Sequence, residues 1–271
     1  MQIIKATGEK EEFSRDKLTA SIARAGIPKD LREQVAAHVE SKLSENIPTS
    51  EIYHHITEFL EQSDHPYEKA KYGLKQSIMA LGPTGYPFED YVAEVLKSQG
   101  YQTAVRQLLK GRCVTHEVDV VAKKDNEAVM VEAKFHNNPG IHTQVHVSLY
   151  TKARFDDLKD IHHFSSGWLV TNTKATPDAI AYAACAGIKI ISWSYPQEGS
   201  LREIIETADL HPITALTTLS DAQKQQLLNA HIVLCKTISQ NPAELDILAL
   251  PADKKQKVLD EAAFLYKDPL E

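Results

Sequence analysis

Cysteine is scarce: Cys113, Cys185 and Cys235 are the only three in 271 residues, widely separated and odd in number. They build neither a zinc-ligand pattern nor a disulfide framework, and they point to a reducing cytoplasm. No apolar run reaches membrane-spanning length. The opening Met1 to Lys5 has no apolar stretch of the signal-peptide kind. Internal repeats and low-complexity tracts are absent. Positive charge is also in deficit, with 30 Lys and Arg against 37 Asp and Glu, a net of -7. That balance argues against a general polyanion binder. A DNA-acting protein of this composition needs a local basic face on an acidic body.

Apolar residues make up 42% of the chain, enough for real cores, and the length fits one large domain or two to three small ones. Charge interrupts the apolar pattern at one place. Glu117 to Val121 and Val129 to Lys134 are short β-branched runs, joined by the polar Lys123 to Glu127. They read as a hairpin. Side chains on a strand repeat every two residues, so Glu132 and Lys134 share a face that Asp119 on the partner strand can reach. Charges do not enter a sheet core unpaired. Asp119 and Glu132 are therefore candidate hard-oxygen ligands for a divalent metal, with Lys134 as a cation beside a water or phosphate. The alternative is a strand-end Asp119 pairing with Lys134.

Asp119 followed by Glu132-Ala133-Lys134 resembles the PD-(D/E)xK nuclease signature, with Val118 where that family has proline. Before it, Pro87 to Leu96 reads as an amphipathic helix ending at Gly100, and Tyr101 to Arg106 as a strand. After it come a helix over about 141 to 161 carrying Val145, Leu149 and Ala153, a strand over 167–171, a helix over 177–186 and a strand over 188–193. This order resembles the restriction-endonuclease-like core of the Mrr type. The resemblance implies a Mg²⁺- or Mn²⁺-dependent hydrolysis of DNA, with Glu89 and Gln144 joining the site. As plain residues, Glu89 is a helix-start glutamate favoured by the dipole and Gln144 a surface polar residue. Glu117 is a further candidate carboxylate. His142 and His146 stand four apart, a spacing open to zinc, but no HExxH or cysteine pair accompanies them. Lys152 and Arg154 are candidate phosphate contacts.

Upstream, Ile3 to Lys5 and Glu12-Phe13 read as paired strands around a turn at Thr7 to Glu9. Helices follow over 17–25, capped by Ser14 or Asp16, over 30–43, from Thr49-Ser50 to Leu60, and over about 67–81. The pattern Ile4-Lys5, Gly8, Glu11 to Ser14, Lys17-Leu18, Ile47 to Ile52 and Ala70 to Tyr72 resembles the ATP-cone. That resemblance implies ATP or dATP as an effector, with Lys5, Glu11, Ser14, Lys17 and Thr49 at nucleotide-contact positions. Ala6-Thr7 and Tyr53 depart from the usual cone residues, and a cone serving only as a docking module is the alternative.

The expected organisation is α/β: a cone over 1–83, a mixed-sheet nuclease core over 84–200, and a helical region over 201–271. The stretch from Ile213 to Ile232 faintly resembles a helix-hairpin-helix, with Asn229-Ala230-His231 replacing the usual glycine. A bundle packing on the nuclease core or a partner is the other reading. The expected partners are DNA and a nucleotide, with no membrane. A homodimer would suit a two-stranded substrate. The rival function is a non-catalytic, nucleotide-sensing DNA-binding or adaptor protein.

Overall fold

The computed structural model describes residues 1–63 and 67–266; the last five residues of the expected third region lie outside it. The chain opens with β1 (Gln2–Ile4), β2 (Lys10–Glu12), α1 (Arg15–Arg24), α2 (Lys29–Lys42), β3 (Ile47–Pro48) and α3 (Thr49–Glu61). Ser14 caps α1 by accepting from the Lys17 amide at 3.2 Å. β1 lies between β2, antiparallel, and β3, parallel. The short strand β3 was not expected, because two residues carry no periodicity. Leu18, Ile22, Val35, Val39, Ile47, Ile56 and Leu60 form the core of this unit.

The expected fourth helix is two: α4 (Glu68–Tyr72) and α5 (Leu74–Met79), divided at Gly73. A Cβ at Gly73 would stand 3.1 Å from the Tyr53 hydroxyl oxygen and 3.2 Å from the Lys69 carbonyl oxygen, so the break sits where α3 crosses closely. Leu74, Ile78 and Leu81 belong to the core of the following body, not to that of the first unit.

That body continues with α6 (Tyr86–Ser98), β4 (Gln102–Lys110), β5 (Thr115–Lys124), β6 (Glu127–Lys134), α7 (Val145–His162), β7 (Ser166–Thr171), α8 (Pro177–Ala186) and β8 (Ile188–Ile191). The sheet order is β4-β5-β6-β7-β8, antiparallel through β6 and parallel beyond. One face, with Val120, Val131, Trp168 and Val170, packs against α6. The other, with Met130, Leu169 and Ile190, packs against α7 and α8. The expected apolar line of α7 is not its buried one: Leu149 is 45% exposed, and Val147, Thr151, Phe155 and Leu158 face the sheet. Pro177 at the first turn and left-handed Gly187 at the end delimit α8.

The last elements are α9 (Leu201–Thr207), α10 (Asp221–Asn229), α11 (Cys235–Gln240) and α12 (Ala252–Leu265). Ser220 and Gln223 form a reciprocal cap at α10. Leu216, Leu227, Ile238, Val258 and Leu265 share one core with α6 and the sheet. The C-terminal helices are thus a bundle on the nuclease-like body. Tyr91 donates to the Leu210 carbonyl at 2.7 Å, and Thr214 to that of Ser77 at 2.6 Å. Sandwiched this way, α6 is buried almost all round, Glu89 and Asp90 included.

Candidate active site

The site lies where β5 and β6 come apart. Val120 pairs with Val131, and the next positions in that register are Asp119 and Glu132, where pairing stops. Val118 packs on the α7 side and Val120 on the α6 side, so alternation breaks at Asp119. Across β4, between the pairs Val105–Val120 and Gln107–Val118, stands Arg106, whose φ of 51° is left-handed. Asp119 fills the gap in the ladder with its side chain: Oδ2 accepts from the Ala133 amide at 2.7 Å.

The remaining oxygen meets charge. Burial and the neighbouring Glu132 carboxylate push the Asp119 carboxyl up to about 7, against the Ala133 hydrogen bond and the Arg154 charge, which lower it. Glu132 is 7% exposed. Its Oε1 accepts from the Tyr150 hydroxyl at 2.9 Å and its Oε2 from the Arg154 guanidinium. Tyr150 and Arg154 are one helical turn apart on α7 and so present one face.

Glu89 is not the exposed helix-start residue of the simpler reading. It is 8% exposed. Burial raises its pKa, Arg106 opposes that, and Asp90 and Glu117 add to it. Arg106 holds Glu89 at 3.2 Å and Asp90 at 2.7 Å. His231, from the turn after α10, completes Asp90 at 2.8 Å. Glu89 also bears on Asp119, so the structure gathers Asp119, Glu132 and Glu89 electrostatically.

Lys134 ends β6, half-buried beside Thr171 of β7. Among the described residues it forms no ion pair within 4.0 Å of Asp119 or Glu132; Arg154 holds the Glu132 carboxylate instead. Arg154 from α7 is thus the cation bonded to Glu132, and Lys134 stands at the strand end. Gln144 is exposed at the residue before α7 and makes no cap hydrogen bond. Glu117 is exposed. His142 and His146 gather no partners: among the described residues, no three His, Cys, Asp or Glu side chains cluster as a metal site. An open groove of about 660 Å³ runs from Tyr150 and Arg154 past Arg112 and His116. A second, of about 580 Å³, lies between Arg106, Glu117 and His231.

In the first unit, Lys5 pairs with Glu11 at 2.6 Å, and Lys17 pairs with the other Glu11 oxygen. Ser14 caps the same helix start. Ile4 pairs with Pro48, which sets Lys5 and Thr49 side by side in the next register position. Lys5, Glu11 and Lys17 thus form one ion-pair group with Thr49 beside Lys5 in the register, whereas Ser14 lies past the opposite, Gln2–Glu12 end of the small sheet.

The fold and the splayed hairpin define a restriction-endonuclease-type body joined to an ATP-cone. Family models agree, matching "Restriction endonuclease" over residues 82–194, "ATP cone domain" over 1–74 and "AF1548-like, C-terminal" over 211–266. An uncharacterized protein of Archaeoglobus fulgidus is 37% identical over 172 residues, which are 63% of this chain and 97% of that protein. The crystal structure of the protein of unknown function AF1548 matches at 36% identity and a TM-score of 0.59, covering 67% of this chain and 98% of that one. The chain belongs to this AF1548-like family.

Proposed function

We propose that the chain is a divalent-metal-dependent DNA endonuclease, hydrolysing phosphodiester bonds under the control of ATP or dATP on the N-terminal unit. The observation that carries this reading is the Asp119–Glu132 pair. Asp119 and Glu132 stand at adjoining register positions where the strands part, and burial first, then the Glu132 charge, holds a proton on Asp119 to about 7. A hard cation relieves the repulsion between the two carboxylates. Mg²⁺ suits the donor set, since it binds through one or two carboxylates and completes its shell with waters and substrate phosphate. Such an ion supplies Lewis-acid polarisation of the phosphate and a more acidic water.

The protein groups have separate tasks. Asp119 and Glu132 hold the ion. Ala133 and Tyr150 fix the orientation of the two carboxylates through their hydrogen bonds. Lys134, at the strand end, orients the attacking water or neutralises charge on the scissile phosphate. Glu89 is a third carboxylate behind them, anchored by Arg106. Arg112 and Arg154 line the adjoining groove and suit a sugar-phosphate strand. Gln144 stays an outer candidate at the start of α7. We take residues 1–83, 84–200 and 201–271 as nucleotide-sensing, nuclease and helical regions. A cytoplasmic setting fits three free cysteines.

Plasmid nicking with Mg²⁺, comparing the wild-type chain with Asp119→Asn and Lys134→Ala, tests the reading. Loss of cleavage in both variants supports it. The adaptor alternative draws on Arg154, which already neutralises Glu132. DNA binding with no cleavage of any DNA form, in Mg²⁺ or Mn²⁺, would establish that alternative instead.

A further inference from the structure

All three regions meet at a cavity of about 200 Å³ that none of the nucleotide-contact candidates lines. Arg24 enters it from α1, Lys71 and Lys75 from α4 and α5, and Arg202 and Glu206 from α9. Trp193, just past β8, closes one side. Leaving aside Lys71, whose ammonium lies 4.0 Å over the Phe264 ring, Arg24, Lys75 and Arg202 thus face one carboxylate, in a chain whose overall charge is negative.

The carboxylate does not settle that charge. The nearest Glu206 oxygen is 3.7 Å from Arg202 Nε, beyond hydrogen-bond reach. Arg202 Nε is buried and has no hydrogen-bond acceptor among the described residues. Lys75 donates to the Asn172 carbonyl and lies 4.3 Å over the Trp193 ring. Burial and the nearby Lys174 draw its pKa down to about 7. Surplus positive charge in a half-buried space is costly unless an anion arrives.

We propose that this junction cavity is a second ligand site, binding a compact polyphosphate through Arg24, Lys75 and Arg202. Its size excludes a whole nucleoside triphosphate, because pockets that enclose drug-sized ligands span roughly 300–1,000 Å³. It suits pyrophosphate, or the tail of a nucleotide whose base lies elsewhere. Arginine forks and lysine point charges are the usual phosphate partners.

Occupancy has a route to the catalytic strand. Lys75 bonds Asn172, and the Asn172 side chain brackets His136: Oδ1 accepts from its amide at 2.9 Å and Nδ2 donates to its carbonyl at 2.9 Å. His136 follows Lys134 by two positions. An anion that turns Lys75 away from the Asn172 carbonyl loosens the bracket beside Lys134. The binding itself does not depend on the nuclease reading.

Calorimetry on the full chain with pyrophosphate is the test, with Arg24→Gln and Arg202→Gln as pocket variants and Lys17→Ala as the control. Expected are binding to the wild-type chain, about tenfold weakening in each pocket variant and no change in the control. Arg24 is exposed, so its variant carries the test if Arg202→Gln melts early. ATP that competes with pyrophosphate identifies a nucleotide tail as the natural source. ATP and pyrophosphate bound together identify a free polyphosphate. Absence of pyrophosphate binding, or weakening by Lys17→Ala alone, overturns the proposal.

Discussion

Arg154 donates to the same Glu132 carboxylate that a divalent cation would need. The two cations compete. Glu132 would be open to a metal ion only with that guanidinium moved off it, and Arg154 also lines the adjoining groove. Arg154→Ala removes the competitor and also removes a cation from the strand-binding face. Mn²⁺ affinity, read by calorimetry, is expected to rise several-fold while the nicking rate falls. Unchanged Mn²⁺ affinity would show that Arg154 does not guard the ion site.

The Asp119 carboxyl is raised from 3.8 to about 7, through burial first and Glu132 second. Metal binding must expel that proton, so Mn²⁺ affinity should climb by about tenfold per pH unit below 7 and level off above it. The same shift sets a stability slope. Between pH 4 and 7 the folded chain holds a proton that the unfolded chain has released, so this group costs stability as pH rises. The penalty is absent below pH 4 and complete above 7. Asp119→Asn is therefore expected to stabilise the metal-free chain at pH 8 by on the order of 1–3 kcal/mol and to be neutral near pH 3.5. Melting curves at both pH values check this; an equal shift at each would assign the effect to packing rather than charge.

What could be read from the sequence was whatever had a period or a fixed local spacing. The hairpin carrying Asp119 and Glu132 showed itself because charge interrupts β-branched runs. In the first unit Ser14 was visible locally as a helix cap, while Lys5, Glu11 and Lys17 stood out only through the resemblance to the ATP-cone. Arg154 had been marked as a phosphate contact, but its bond to Glu132 depends on how α7 rolls against the sheet. The line Val145–Leu149–Ala153 looks apolar, yet the buried face of α7 carries, alongside Val147, Phe155 and Leu158, the polar Ser148 and Thr151. Their hydroxyls bond the Ala179 and Val147 carbonyls, which makes them acceptable inside. Tyr150 at i and Arg154 at i+4 were the missed signal. Asp90 and His231 are 141 positions apart, and nothing local announces their bond.

That bond ties the C-terminal bundle to the site. Asp90 is 8% exposed and is satisfied by Arg106 on one oxygen and His231 on the other. Asp90→Ala leaves Arg106 with Glu89 alone and frees the turn after α10. A loss of about 1–3 kcal/mol is expected, since one member of a largely buried charge network is removed while the rest stays. His231→Ala should cost under about 1 kcal/mol, because that ring is 68% exposed. Denaturant titrations of both variants separate the two. Equal losses would mean that the imidazole, not Arg106, sustains the buried carboxylate.

The ATP-cone touches the nuclease-like body at Gly140. A Cβ there would lie 2.6 Å from the Ala6 carbonyl oxygen, in the turn that follows Lys5. Gly140 belongs to the loop between Lys134 and α7, so the cone turn rests directly on the segment leaving the active-site strand. Gly140→Val pushes the hairpin off this seat, because a backbone oxygen cannot yield as a flexible side chain would. The expected result is an earlier, separate melting step for the first unit, with nucleotide binding retained. Cleavage would continue but lose its response to ATP. Calorimetric unfolding with and without ATP, alongside nicking assays at both conditions, measures each part. A variant that melts in one step and still responds to ATP would place the coupling elsewhere, such as at the Lys75–Asn172 or Thr214–Ser77 contact.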